Sequence, residues 1–198
     1  ISNLNWIDPI VVSNAPKSVE VEIIADNNDF KFQVYSLTDS HKTIHAEGVV
    51  SEKNNTESKP IDLTSIQSAL KEQQSKSECY KLLVSAGFEY GDSFQRIENF
   101  YFSDKEALAE IHLNEPSDMT LPPQLLDCAL QSCMLQVLRK GERLLPYSVG
   151  KINIYQPLTG KGWCHIREIK SGKLTGFDIQ LLSYSGKLLV ELKDFYAI

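Results

Sequence analysis

The sequence predicts an α+β fold on three observations. The run between Pro122 and Gly141 is apolar nearly all round, which marks a helix buried on most of its sides. Short stretches that alternate apolar with polar residues lie on both sides of it, and such a pattern describes an antiparallel sheet curled around that helix. The composition allows a core of that kind, with 42% hydrophobic and 23% charged positions in 198 residues. A chain of this size buries about 70% of its unfolded surface and needs no metal or disulfide staple.

In chain order, Val19-Glu20-Val21-Glu22-Ile23-Ile24 and Phe30-Lys31-Phe32-Gln33-Val34-Tyr35 alternate on either side of Asp26-Asn27-Asn28-Asp29, a hairpin pattern. Thr43 to Val50 supplies a third strand after a polar turn at Thr38 to Lys42. Ser51 to Pro60 has no apolar residue and ends in proline, which makes it a linker or exposed loop. Asp62 stands where it can cap a weakly amphipathic helix through Leu63, Ile66, Ala69 and Leu70. A second short helix, about Cys79 to Ser85, stops at Gly87. Gln95 to Phe102 and Leu108 to Leu113 then read as strands. Pro122 and Pro123 open the long helix and Arg139-Lys140-Gly141 close it, with proline early and glycine late. Four strands follow, near Lys151 to Tyr155, Trp163 to Ile169, Gly176 to Leu182 and Leu188 to Phe195, with Gly160, Gly162, Gly172 and Gly186 between them.

Charge and cysteine usage remove several functions. The net charge is -6, and the 20 Lys and Arg form no stripe that could neutralise a phosphate backbone, so no nucleic-acid partner is expected. Nothing approaches the ~18 uninterrupted apolar residues of a membrane span. Cys79, Cys128, Cys133 and Cys164 contain no C-x-x-C pair and read as reduced core residues of a cytoplasmic protein, with no metal site. Gly160-Lys161-Gly162 lacks the frame of a phosphate loop and reads as a hairpin turn. The start, Ile1-Ser2-Asn3-Leu4, has neither an initiator Met nor a signal segment, as expected of a piece of a longer polypeptide.

On the long helix, Asp127 shares a stripe with Gln131, Met134 and Leu138 at 100° per residue, so its carboxyl points along a largely apolar face. In one reading Asp127 is a first-turn acid favoured by the helix dipole, with Gln131 bonding locally. In the other, a partly dehydrated carboxyl keeps its proton near neutral pH and serves as a general acid, with Gln131 holding it or a substrate hydroxyl.

Four blocks add to the second reading. Pro123-Gln124-Leu125-Leu126-Asp127-Cys128-Ala129-Leu130-Gln131 resembles the P-x-L-L-D-x-x-x-Q motif of the dehydratase domains of modular polyketide synthases. Gly87-Phe88-Glu89-Tyr90-Gly91-Asp92-Ser93-Phe94-Gln95 resembles that family's G-x-x-Y-G-x-x-F-Q segment, Leu145-Pro146-Tyr147-Ser148 its L-P-F-S strand entry, and Ile44-His45-Ala46-Glu47-Gly48 its H-A-x-G strand. The resemblance implies a double hotdog, two sheets each wrapped on a helix. Residues 1–86 would hold the later part of a first hotdog plus linker, incomplete at its N-terminus, and 87–198 the second hotdog. It further implies removal of water from a β-hydroxyacyl thioester, with Asp127 as the acid and Gln131 its helper. Met134, Leu138, Tyr90 and Pro146 become candidates to line the substrate site, although Tyr90-Gly91 also reads as a turn and packing element.

No cofactor is implied for the domain itself, because the substrate rides on the phosphopantetheine arm of an acyl carrier protein. That carrier and the neighbouring synthase domains are the implied partners, with a homodimer as a further candidate. Arg139, Lys140 and Arg143 read as cations completing the helix C-terminus, or alternatively as a docking patch for an acidic carrier.

The family's H-x-x-x-G-x-x-x-x-P motif, which carries its catalytic His, does not occur around His41, His45, His112 or His165. His45 reads as a strand residue, and Pro122 stands where the family often has His. The base is therefore expected outside this sequence, together with the helix of the first hotdog. The apolar face of Val19, Val21, Ile23, Phe30, Phe32 and Val34 is expected to lie bare unless other residues cover it. Double-bond migration, conjugate addition and a non-catalytic scaffold role are the alternatives.

Overall fold

The computed structural model describes residues 1–38, 41–52, 60–112, 118–170 and 174–198. Strands β1 (Ser2–Trp6), β2 (Glu20–Asp26), β3 (Asp29–Thr38) and β4 (His41–Ser51) come first. Helix α1 (Leu63–Ala69), strand β5 (Glu72–Ser75) and helix α2 (Lys76–Ser85) follow. Strands β6 (Ile97–Phe102) and β7 (Glu106–His112) lead into α3 (Pro123–Leu138). The described elements end with β8 (Pro146–Ile154), β9 (Lys161–Lys170), β10 (Thr175–Ser183) and β11 (Leu188–Ala197). These eleven strands share one sheet in the order β2-β3-β4-β1-β8-β11-β10-β9-β7-β6-β5. The α+β prediction holds. Most of the Ser51 to Pro60 linker and Gly172 lie outside the described residues.

The first half forms as its alternation requires. Asn27, at φ 57, makes the two-residue turn that sets Asp26 opposite Asp29. Val21 then faces Val34 and Ile23 faces Phe32, which puts their side chains on one face. Val21 and Ile23 are 63% and 66% exposed, and Val19 and Phe30 are exposed as well. Phe32 and Val34 are half-buried. Strand β1, absent from the sequence reading, joins the halves by pairing with β4 on one side and β8 on the other. Its five residues include two Asn, and Asn3 sits at φ 51, so period-two alternation is hard to see there.

The later strands carry the core. Helix α3 buries Leu125, Cys128, Ala129, Leu135 and Val137 against Ile97, Phe100, Ala109, Ile111, Ile166, Ile179 and Val190. On the opposite sheet face Leu108, Trp163, Leu182 and Leu188 pack under Ile61, Leu63 and Ile66 of the α1 segment. Asp62 caps α1 as expected, accepting from the Ser65 amide at 3.1 Å. Residues 61–86, which the sequence groups with the first half, find their apolar cover on the later strands. Strand β5 pairs with β6, and Cys79, Tyr80 and Leu83 of α2 join the α3 core. Strand β5 escapes sequence reading because Glu-Gln-Gln-Ser has no apolar member and pairs on one side only.

One turn assignment is overturned. Gly160-Lys161-Gly162 is not a hairpin turn, because β8 pairs with β1 and β11 whereas β9 pairs with β7 and β10. The 155–160 connection instead crosses over, tied by the Leu158 amide to the Thr120 carbonyl at 2.9 Å. Gly162 is inside β9, where a Cβ would strike the Leu182 carbonyl oxygen. That oxygen belongs to a paired strand and cannot yield, so Gly162→Ala is expected to cost about 1–3 kcal/mol in denaturant unfolding. A loss below a few tenths would show that the ladder gives way there.

Candidate active site

Helix α3 begins at Pro123 with Pro122 in the cap position, whose carbonyl accepts from the Leu125 and Leu126 amides at 3.1 Å. Asp127 is thus the fifth helical residue, beyond the first turn, and the reading of it as a first-turn acid fails. The four-residue step to Gln131 brings the two side chains together, with Gln131 Nε2 donating to Asp127 Oδ2 at 2.7 Å. Gln131 is fully buried and Asp127 half-buried. Burial pushes the Asp127 carboxyl above the ordinary carboxylate range, and the Gln131 N–H, which favours the ionised form, offsets this only in part.

The 87–95 block builds the wall beside this pair. Gly87, at φ 85, ends α2 through bonds from its own amide to Val84 and from Phe88 to Leu83. Gln95 Nε2 donates to the Tyr90 carbonyl at 2.8 Å, closing the loop around a 3₁₀ turn at Asp92–Phe94. That turn presents the Phe94 carbonyl, which accepts from Gln131 Nε2 at 3.1 Å. The Tyr90 phenol is pushed up to about 12, by burial first and then by the negative charge of Asp127. Tyr80 of α2, which sequence reading missed, donates its hydroxyl to Gln131 Oε1 at 2.9 Å and accepts from the Ile97 amide at 3.1 Å. Nothing in α2's sequence separates Tyr80 from an ordinary core aromatic, and a carbonyl such as that of Phe94 leaves no trace in a sequence at all.

The other candidates divide. Met134 and Pro146 line one gap with Leu130, Cys133 and Phe195, of about 20 Å³. That is room for about one water molecule and far short of an acyl chain, so the gap is no acyl tunnel as it stands. Leu138 packs half-buried on the core. His45 is buried with both ring nitrogens occupied, Nε2 by Ser36 Oγ and Nδ1 by the Asp8 carbonyl, each at 2.9 Å. His165 bonds Glu106 at 2.7 Å and Gln180 at 3.3 Å. His112 follows fully buried Ile111 in β7, so its side chain starts on the opposite sheet face, and His41 is exposed.

Arg139 lies over the Phe102 ring at 3.1 Å, Arg143 sits 5.4 Å from the Phe88 ring, and Lys140 pairs with Glu168 at 2.7 Å. All four cysteines are buried free thiols.

Residues 58–197 match the family model described as polyketide synthase dehydratase N-terminal domain. Polyketide synthase PksM of Bacillus subtilis (strain 168) is 27% identical over 98% of this chain, which spans 5% of that protein. A trans-AT polyketide synthase dehydratase domain from Brevibacillus brevis superposes at a TM-score of 0.91 with 25% identity, over 99% of this chain and 74% of its own. The CurK-module dehydratase domain of curacin polyketide synthase superposes at 0.87 with 26% identity, over 100% of this chain and 74% of its own. CurK variants with a His replaced by Phe, and with an Asp replaced by Asn, are inactive mutants of that domain.

Proposed function

The chain belongs to the polyketide synthase dehydratase family, and from that premise we propose that it supplies the acid side of an active site that converts a β-hydroxyacyl thioester into an α,β-enoyl thioester. The observation that carries the reading is the Asp127–Gln131 pair, a half-buried carboxyl of raised pKa with an N–H held 2.7 Å from one oxygen. The neutral carboxyl donates its proton to the departing hydroxyl. The Gln131 N–H then steadies the carboxylate as it forms, so the site favours the acid before transfer and its conjugate base after.

The α-proton passes to a base that we assign to a group other than His41, His45, His112 and His165. Loss of an Asp carboxyl inactivates the CurK domain, which supports a required acid in this family. The substrate is proposed to arrive on the phosphopantetheine arm of an acyl carrier protein in a cytoplasmic synthase, with neighbouring synthase domains as partners. Tyr90, beside Asp127, and Met134, Leu138 and Pro146, along α3 and β8, are proposed to border the acyl chain once the site is filled. Residues 1–86 are proposed as the later part of a first hotdog plus linker, and residues 87–198 as the second hotdog carrying α3.

The test is the pH dependence of turnover in the protein that carries this chain. Asp127 must be protonated to act, so turnover is lost as pH rises through its folded-state pKa, and burial moves that loss upward. The alkaline limb is expected above the ~3.9 of an ordinary Asp. A limb at the ordinary carboxylate value would remove the proposal.

A further inference from the structure

Two main-chain groups fix the direction of the hydrogen bonds that end on Asp127. The Ile97 N–H can only donate, and it gives its proton to the Tyr80 hydroxyl at 3.1 Å. The Phe94 carbonyl can only accept, and it takes Gln131 Nε2 at 3.1 Å. The single Tyr80 proton is left for Gln131 Oε1 at 2.9 Å, nearer than the Phe94 carbonyl at 3.4 Å. With Oε1 so occupied, the amide has Nε2 and not Oε1 to offer Asp127 Oδ2. Tyr80 is 7% exposed and Gln131 0%, so bulk water does not substitute for either partner.

We propose that Tyr80 is a positioning residue for the dehydration, and that it sets the Gln131 amide in the orientation that keeps the Asp127 proton on Oδ1 for the substrate hydroxyl. The proposal rests on the reading of Asp127 as the acid. In the step itself the Oδ1–H bond breaks and its proton joins the hydroxyl. The C–O bond gives its electron pair to the departing water, and the electrons of the broken α C–H bond form the C=C bond while the base takes the α-proton. With the amide reversed, Oε1 would accept the Asp127 proton and hold it away from the substrate, and no N–H would meet the new carboxylate.

Tyr80→Phe removes the hydroxyl and keeps the edge-on ring contact with Tyr90. In the protein that carries this chain, assayed on a β-hydroxyacyl thioester, kcat is expected to fall about tenfold with KM unchanged. The alkaline limb of the kcat profile is expected to move to higher pH, because the carboxylate loses its fixed N–H donor. In a Gln131→Leu background, Tyr80→Phe is expected to change neither quantity further. An equal loss in both backgrounds with an unmoved limb overturns the proposal.

The wild-type protein gives a second readout that survives any folding failure of the variant. A scalar coupling across the hydrogen bond from Gln131 Nε2 to the Asp127 carboxyl carbon is expected by NMR, and its absence counts against the orientation. Asp127→Asn keeps the two readings apart. Full activity there would remove the acid itself, whereas inactivity there with an unmoved Tyr80→Phe profile would remove only the part given to Tyr80.

Discussion

Asp127→Asn is expected to lower dehydration about 10²- to 10⁴-fold, the usual worth of a positioned general acid. The substitution keeps volume and shape. If the new side-chain oxygen takes the place of Oδ2, it still accepts from Gln131 Nε2, which now lies 2.7 Å from that oxygen. The half-buried group it replaces is itself favoured in its neutral form, because partial burial raises the Asp127 pKa. The fold therefore loses little, and the variant should unfold at nearly the wild-type temperature while its amide has no acidic proton for the leaving hydroxyl. Turnover is followed as enoyl thioester formed from a β-hydroxyacyl thioester. Wild-type turnover in the Asp127→Asn variant would show that the proton comes from elsewhere, and a large fall in melting temperature would make Asp127 a structural group instead.

Phe195→Ala is expected to have the largest effect on stability. Phe195 is 2% exposed in β11, pairs in register with Val149 of β8 and Phe177 of β10, and stacks on the Phe177 ring at 6.4 Å. Trp6 of β1 meets it edge-on at 6.4 Å, so this ring also ties the strand joining the two halves to the later core. Truncating a buried Phe to Ala costs about 3–5 kcal/mol, because the cavity it leaves refills only in part. For a chain of this length that corresponds to a fall in melting temperature of roughly 10 °C. Because Phe195 lines the gap beside Met134 and Pro146, the same change enlarges that gap. A fall of only a degree or two would mean that the neighbouring rings close over the space.

What could be read from the sequence, and what could not, follows from how each feature is encoded. The buried helix and its ends are legible because an apolar run of that length, Pro123 at its start and Gly141 past its end are local features of the sequence. The Asp127–Gln131 bond was legible for the same reason, since residues four apart on a helix must be neighbours. Strand β5 was not, because its four polar residues are ordered by pairing with β6 and by nothing within themselves.

The crossover at Gly160 is not legible in the sequence, because glycine marks a turn without saying which strand comes next. Tyr80 was invisible because its partner lies 51 residues away, and only packing α2 against α3 brings the two together. The placement of Met134 and Leu138 on the Asp127 stripe followed from helix geometry. Whether a stripe faces core or substrate depends on what covers it, which periodicity does not encode.

Asp127 is proposed to hold the transferred proton at the pH where turnover takes place. The most direct measurement of this is the ¹³C chemical shift of the Asp127 carboxyl carbon against pH, taken beside turnover on the same protein. Titration above the ordinary Asp range, with turnover failing as that same group ionises, is the predicted result. An Asp127 that titrates near ~3.9 while turnover persists well above that pH would contradict it.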